Sequence, residues 1–400
     1  MTLGILYHMP FWQDADGSLW EAEGSFARYV DSLAPYFDEI VLCVPVFDRP
    51  QTGGSRVRAA NVSLAPLPYF PGPKQFYPQV MRVLPRLRQW VARCDVINLR
   101  VPTPAAIFAF RVARKIRPTF LLVVGDYRAL RQHLGYRGVK RALFAAYVAM
   151  EEWAIDHMAA RSLTFVNGAA LRDKHAAPGR RVHETKTSTL HASDIADRND
   201  ALTGTVVRIL TVSRIDPRKG LQVLPSVVAA LRGTGWQARA DIVGPVVGQN
   251  GERERTAIVD TARALGVGAH VALRGAVPLD QLLPMYREFD VFVLPTKPGE
   301  GIPRVLLEAM ANGLPVITTR VAGISSLVTH EQNGLLVDGD SADAITTAIK
   351  RLVEDAGLRQ RVIANGYETA RAHTVERQAE QMMQVVSSEL GLALHRRPAA

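Results

Sequence analysis

Apolar residues follow two rhythms along this chain, and the two alternate. Short unbroken apolar runs bounded by Gly, Pro, Asp or Asn read as strands buried on both faces. Longer stretches with apolar residues three and four apart read as helices. In the first half the strand-like runs lie at 3–7, 39–44, 96–99, 120–124 and 162–166, with helical stretches at 25–36, 80–92 and 139–160. From Asp173 to Gly204 the sequence is polar and irregular, and an interdomain linker is placed near 192–205. The alternation then resumes, with strands at 206–212, 239–243, 271–274, 291–295, 316–318 and 335–337 and helices at 221–232, 251–265, 279–289, 304–311 and 342–355. A last helical stretch covers 375–390. Strand and helix in alternation predict a parallel, doubly wound sheet. Two such series in 400 residues predict two α/β domains.

Composition leaves that picture in place: 48% hydrophobic and 22% charged residues suit an ordinary globular protein. No apolar run reaches the length of a membrane span, and the N-terminus reads as a first strand instead of a secretory signal. Cys43 and Cys94 show neither CxxC nor zinc-ligand spacing and read as reduced core residues, which predicts a cytoplasmic protein. The charge of +10 is uneven: residues 1–200 hold 26 Lys/Arg against 18 Asp/Glu, residues 201–400 hold 22 against 20. Between Val96 and Met150 the only acid is Asp126, amid ten Lys and Arg. Such a surface fits an anionic membrane, a phosphorylated acceptor or a basic enzyme with no charged partner. Nucleic acid is not expected, because no binding motif accompanies the charge.

Two segments carry candidate chemistry. Glu300 and Glu308 bracket a Gly/Pro loop and a helix start, directly after the apolar run 291–295. In an open α/β sheet that position opens on the ligand crevice beyond the carboxyl ends of the strands. Carboxylates there suit a polyhydroxylated ligand, since they accept charge-assisted hydrogen bonds. The plainer reading is a loop acid and a solvated helix acid. Arg214 and Lys219 flank the turn Ile215-Asp-Pro-Arg218 after the strand 206–212. A guanidinium fork and a compact ammonium beside a helix start make a diphosphate site, although cations in a polar loop are usually only solvated.

Together these segments resemble a known family. Ser213-Arg-Ile-Asp-Pro-Arg-Lys-Gly220 is similar to its GR-x-x-x-x-KG loop, and the stretch from Glu300 through Glu308-Ala-Met-Ala-Asn-Gly-Leu-Pro-Val-Ile317 to its E-x7-E segment. Asn333-Gly-Leu-Leu-Val-Asp-Gly-Asp340 is similar to its NGLLV-x-x-GD turn. The family is family 4 of the retaining, nucleotide-sugar-dependent glycosyltransferases, of group 1 type. The resemblance is strong over about 206–385 and weaker over 1–200.

It implies a GT-B fold: two Rossmann-like domains facing across a cleft. Residues 1–195 would bind the acceptor and 206–372 the nucleotide-sugar. A helix over 373–392 would cross back to the first domain. Arg214 and Lys219 would neutralise charge on the departing diphosphate, Glu300 would hold the sugar hydroxyls and Glu308 the ribose. Ser213, Gly244, Val277, Gly301, Ile302, Pro303, Arg304 and Val305 would line the donor pocket. Pro303 departs from the family's usual Gly and has no N–H to donate. Arg304 is unusual there and reads equally as a solvated helix arginine. The stretch after Val321 lacks the family's acid.

In the first domain the family's Gly-rich phosphate loop is replaced by a longer loop over 9–23, so Gly24 or Gly17 would take its role. The family histidine after the strand at 120–124 is missing. Asp126 stands there, as an acceptor or as a nucleophile in a double displacement, and His133 is the nearest histidine. The expected reaction is same-face transfer of a sugar to a hydroxyl on a small molecule, lipid carrier or polysaccharide. No cofactor or metal is expected beyond the nucleotide-sugar co-substrate, because the cationic side chains would do the work of Mg²⁺. The rivals are an epimerase or phosphorylase of the same fold and a catalytically inactive membrane-associated protein.

Overall fold

The structure is a computed structural model. It describes residues 1–397 except 23–24, 52–53, 126–137, 186–187, 199, 201, 203–205, 298–302 and 340, and except the side chains of Ala170, Asp280 and Ala322. The chain forms two compact units, Met1–Thr189 with Val375–Ala400, and Leu190–Thr374.

The first unit is built on one sheet of strands β1 (Thr2–Leu6), β2 (Phe11–Gln13), β3 (Leu19–Glu21), β4 (Glu39–Val46), β5 (Ser55–Arg56), β6 (Val62–Pro68), β7 (Val96–Val101), β8 (Thr119–Val123), β9 (Leu163–Asn167) and β10 (Val182–Thr185). Their order is β10-β9-β8-β7-β1-β4-β2-β3-β5, with β6 also on β4. The pairs β1–β4, β1–β7, β7–β8, β8–β9, β9–β10 and β4–β6 are all parallel. Helices cover both faces, which is why β7 and β8 are buried along their whole length.

Residues 9–23, expected as a loop, contain the antiparallel hairpin β2–β3, in which Trp12 faces Trp20 with parallel rings 6.3 Å apart. Each strand is three residues long, too short to register as an apolar run. Gly17 sits in the hairpin turn with φ +83°, a conformation glycine adopts freely. β10 also lies inside the stretch that reads as irregular.

The second unit is a single parallel sheet, β13-β12-β11-β14-β15-β16, from β11 (Val206–Val212), β12 (Gln237–Val243), β13 (Val271–Gly275), β14 (Val291–Leu294), β15 (Val316–Thr319) and β16 (Leu335–Val337). Its helices Leu224–Gly233, Gly248–Ala264, Arg304–Ala311 and Ala342–Glu354 fall close to the expected stretches. The helix Ala356–Ala372 was not legible: its buried Leu358, Val362, Tyr367 and Ala370 are diluted by charge and by two internal glycines.

The boundary between units differs from the expected linker for a physical reason. Leu190 is 1% exposed and joins the second core. The Ala196 N–H donates to Ala311 O at 3.0 Å, and Asp200 pairs with Arg359 at 2.6 Å. Leu190, Ala196 and Asp200 are thus pinned to the second unit. At the other end the helix Val375–Leu390 leaves that unit. Its Ala379, Met382, Met383 and Val386 join the first core beside Phe26, Val30 and Leu33.

Candidate functional site

The second unit gathers its polar chemistry at the carboxyl edge of its sheet. Strand β11 ends at Val212 and the chain turns sharply through Ser213–Gly220. The Ser213 N–H donates to Val243 O and the Ile215 N–H to Pro245 O, both at 2.9 Å, which ties this turn to the one after β12. Gly244 makes the approach feasible. It holds φ +146°, and a Cβ there would lie 2.0 Å from the Ser213 carbonyl oxygen. Only glycine fits that backbone and that gap. The Gly244 N–H in turn donates to Gly275 O at 2.8 Å, so the ends of β11, β12 and β13 form one connected edge.

Three cations stand on the first turn, and the structure sorts them. Asp216 caps the turn by accepting from the Arg218 N–H at 3.0 Å, and its carboxylate takes the Arg218 guanidinium at 2.9 and 2.7 Å. That side-chain hydrogen bond is the main reason the Asp216 pKa falls to about 2. Arg218 is thereby held within its own loop. Arg214 is exposed, and among the described residues no carboxylate pairs with it. Lys219 is only 8% exposed. Gly220, with φ +64°, closes the turn and starts the next helical segment.

The loop after β14 joins the same edge. The Lys297 N–H at 2.8 Å and the Thr296 hydroxyl at 3.2 Å both donate to the Arg218 carbonyl. The chain then runs through residues 298–302 to Pro303, which precedes the helix Arg304–Ala311. Glu308, the fifth residue of that helix, is 5% exposed, and its Oε2 accepts from the Tyr286 hydroxyl at 2.9 Å. Burial, then the Glu308 charge, push the Tyr286 pKa up, so the phenol is a firm donor. Asn312 donates to the Glu308 carbonyl at 2.9 Å and accepts from Arg287 at 3.0 Å. Glu308 is therefore a buried, oriented carboxylate, and the solvated helix acid of the plainer reading does not apply.

Among the other expected residues, Ser213 donates its hydroxyl to Arg214 O at 3.0 Å. Pro303 is buried and Arg304 half-buried. Val277 and Val305 rest half-buried on the core around Leu210, Val243 and Leu294. Glu300, Gly301, Ile302, Gly24, Asp126 and His133 lie outside the described residues. Gly17 is held in its hairpin turn by its N–H to Asp14 O at 3.0 Å. Sequence reasoning missed Tyr286, which no local pattern links to Glu308. It also missed Lys297, whose only signal is a cation just past the end of β14.

Comparison with known proteins follows the same division. Residues 194–369 match the family described as "Glycosyl transferases group 1", so the resemblance is shown for that span. A D-inositol 3-phosphate glycosyltransferase of Corynebacterium glutamicum is 35% identical over 177 residues, 43% of this chain and 41% of that one. A GDP-mannose-dependent alpha-(1-6)-phosphatidylinositol monomannoside mannosyltransferase of Mycobacterium tuberculosis is 33% identical over 164 residues, 40% of each chain. The matched stretch thus spans about two fifths of these relatives' own length. The crystal structure of Anabaena HepE in complex with UDP superposes with a TM-score of 0.67 at 18% identity, covering 97% of this chain and 100% of that one. That likeness shows the fold: two parallel-sheet α/β units of the GT-B class.

Proposed function

We propose that this chain, whose second unit matches the group 1 glycosyl transferases, moves a sugar from a nucleoside diphosphate sugar to a hydroxyl acceptor with retention of configuration. The observation that carries the reading is the sorted loop. Arg218 is taken by Asp216, while Arg214 is exposed and Lys219 is buried on the same turn, at an edge tied to Thr296 after β14. Arg214 and Lys219 grip the diphosphate and stabilise the negative charge that grows on it as the glycosidic bond breaks. Glu308, steadied by Tyr286, accepts hydrogen bonds from the ribose hydroxyls, and Gly244 lets the nucleotide approach the backbone. Glu300 holds the sugar hydroxyls. The acceptor attacks on the face the phosphate leaves, and the phosphate takes its proton. Charge neutralisation comes from side chains, so turnover needs no divalent cation. The relative named for GDP-mannose and the neighbour solved with UDP support both nucleotides as first candidates. The test is calorimetry with UDP and GDP, followed by transfer assays with the corresponding sugars. Binding of neither nucleotide to the intact protein would refute the reading.

The first unit takes the acceptor, and a membrane-borne acceptor is favoured by one helix. Along Gly138–Ala159 the exposed Val139, Leu143, Met150 and Trp153 lie on one face, with exposed Lys140 to one side of it. An exposed apolar stripe on a basic domain suits the surface of an anionic bilayer. No helix among the described residues is long and apolar enough to cross a membrane, and the contact proposed is a peripheral one. The cytoplasmic face, where nucleotide sugars are supplied, is the proposed location.

A further inference from the structure

Strand β7 is buried at all six positions, and one of them is Arg100, 4% exposed. A guanidinium keeps its charge in a protein, so sealing it away from water is costly unless acceptors meet its N–H groups. Here Nε and Nη1 are buried with no hydrogen-bond partner among the described residues. Aromatic rings surround the group, with Cζ 4.7 Å from the centre of Tyr7, 4.9 Å from Tyr29 and 5.1 Å from Phe26. Cation–π attraction steadies the charge but leaves the donors unanswered.

The location is informative. Phe26 is the second residue of the helix Ser25–Leu33, so the guanidinium lies at that helix's positive end. The Phe26 and Ala27 N–H groups already donate, at 3.1 Å each, to Oε2 of the buried Glu21. The backbone donors are answered by an internal carboxylate, and the arginine fork is not. His8 stands next to it, its ring 4.4 Å from that of Tyr7. The Thr103 hydroxyl donates to the Arg100 carbonyl at 2.9 Å and lies 3.2 Å from His8 Nδ1. Burial, then the Arg100 charge, lower the His8 pKa to about 4, so the ring is neutral at pH 7. His8 also borders a cavity of about 320 Å³ walled by Tyr69, Phe70, Pro71 and Pro104.

We infer that Arg100 receives a phosphate group carried by the ligand of the first unit, beside the neutral ring of His8. The planar fork of the guanidinium suits two phosphate oxygens. The inference rests on the glycosyl-transfer reading in so far as this ligand is the acceptor. A phosphorylated sugar and a phospholipid headgroup present the same chemistry.

The intact protein is tested by calorimetry with inorganic phosphate and glucose 6-phosphate, and by co-sedimentation with phosphatidylinositol vesicles. Wild type, Arg100→Met and Arg100→Lys are compared, with UDP and GDP binding measured in parallel. The expected result is phosphate binding that weakens tenfold or more in Arg100→Met and several-fold in Arg100→Lys, with nucleotide binding unchanged in both. Arg100→Met is expected to melt at or above the wild-type temperature, because replacing an unpaired buried charge by an apolar chain of similar length relieves desolvation. Glucose 6-phosphate bound through Arg100 assigns the site to a soluble phosphate, and Arg100-dependent vesicle binding alone assigns it to a headgroup. Phosphate binding equal to wild type in either variant, or no phosphate binding to wild type, overturns the inference. If Arg100→Met does not fold, Arg100→Lys decides by the same criterion. If neither nucleotide binds wild type while phosphate binding still depends on Arg100, the donor reading fails and this one stands.

Discussion

Both units place a loop and a helix start beyond the carboxyl ends of parallel strands, and each answers the resulting positive edge differently. In the first, Glu21 folds back onto the amides of Phe26 and Ala27, and the cation Arg100 is enclosed by three rings. In the second, an acid also folds back: Asp216 takes Arg218, and Arg214 stays exposed on the same turn as Lys219. The fold supplies the edge in both cases. Which cation an internal acid captures decides what charge is left for a ligand.

The largest expected effect tests the second edge directly. Lys219→Ala should lower turnover by a hundredfold or more, about 3 kcal/mol at the least, since removing one donor to a developing anion costs on that scale. The melting temperature should hardly move, and near-normal turnover would dissolve the contrast between the two edges. Next comes Gly244→Ala, which forces a Cβ to within 2.0 Å of the Ser213 carbonyl oxygen and should destabilise the second unit by about 3 kcal/mol. Chemical denaturation measures it, and a loss under 1 kcal/mol would mean the two turns can part without consequence.

The first edge should answer to pH. His8 has a folded pKa of about 4 against 6.5 for the free side chain, so between those values the unfolded chain binds more protons. Stability is fully present above pH 6.5 and falls as pH drops towards 4, by about 2 kcal/mol at pH 5 from this residue. His8→Gln should remove that part of the slope, and an unchanged slope would place the acid sensitivity elsewhere. A smaller effect is expected from Tyr286→Phe, which leaves Glu308 without its 2.9 Å donor and should raise the donor KM several-fold, about 1 kcal/mol, with kcat little changed. Smallest of all, EDTA should leave turnover unaltered; a collapse restored by Mg²⁺ would show that the Arg214–Lys219 edge does not suffice to neutralise the leaving group.

Much of the second edge could be read along the chain. The strand 206–212, the order of Arg214 and Lys219 and the placement of Glu308 one turn into a helix depend on residues close in sequence. The sorting of the cations was also local, since Asp216 and Arg218 are two residues apart, yet nothing in the string says which arginine the acid takes. The first edge was far less legible. The run at 96–99 reads as apolar and stops one residue short of Arg100, and the hairpin β2–β3 hides in two three-residue strands.

Amino-acid order by itself determined the alternating elements, the two parallel-sheet units and the motif residues of the second unit, because periodicity and turn chemistry act over a few residues. Tertiary structure alone decided that Gly244 meets Ser213, that Tyr286 holds Glu308, that Leu190 belongs to the second core and that Arg100 lies among Tyr7, Phe26 and Tyr29. The Gly244, Tyr286 and Arg100 contacts join residues at least 22 positions apart, and burial and desolvation exist only once such distant groups have closed around one another.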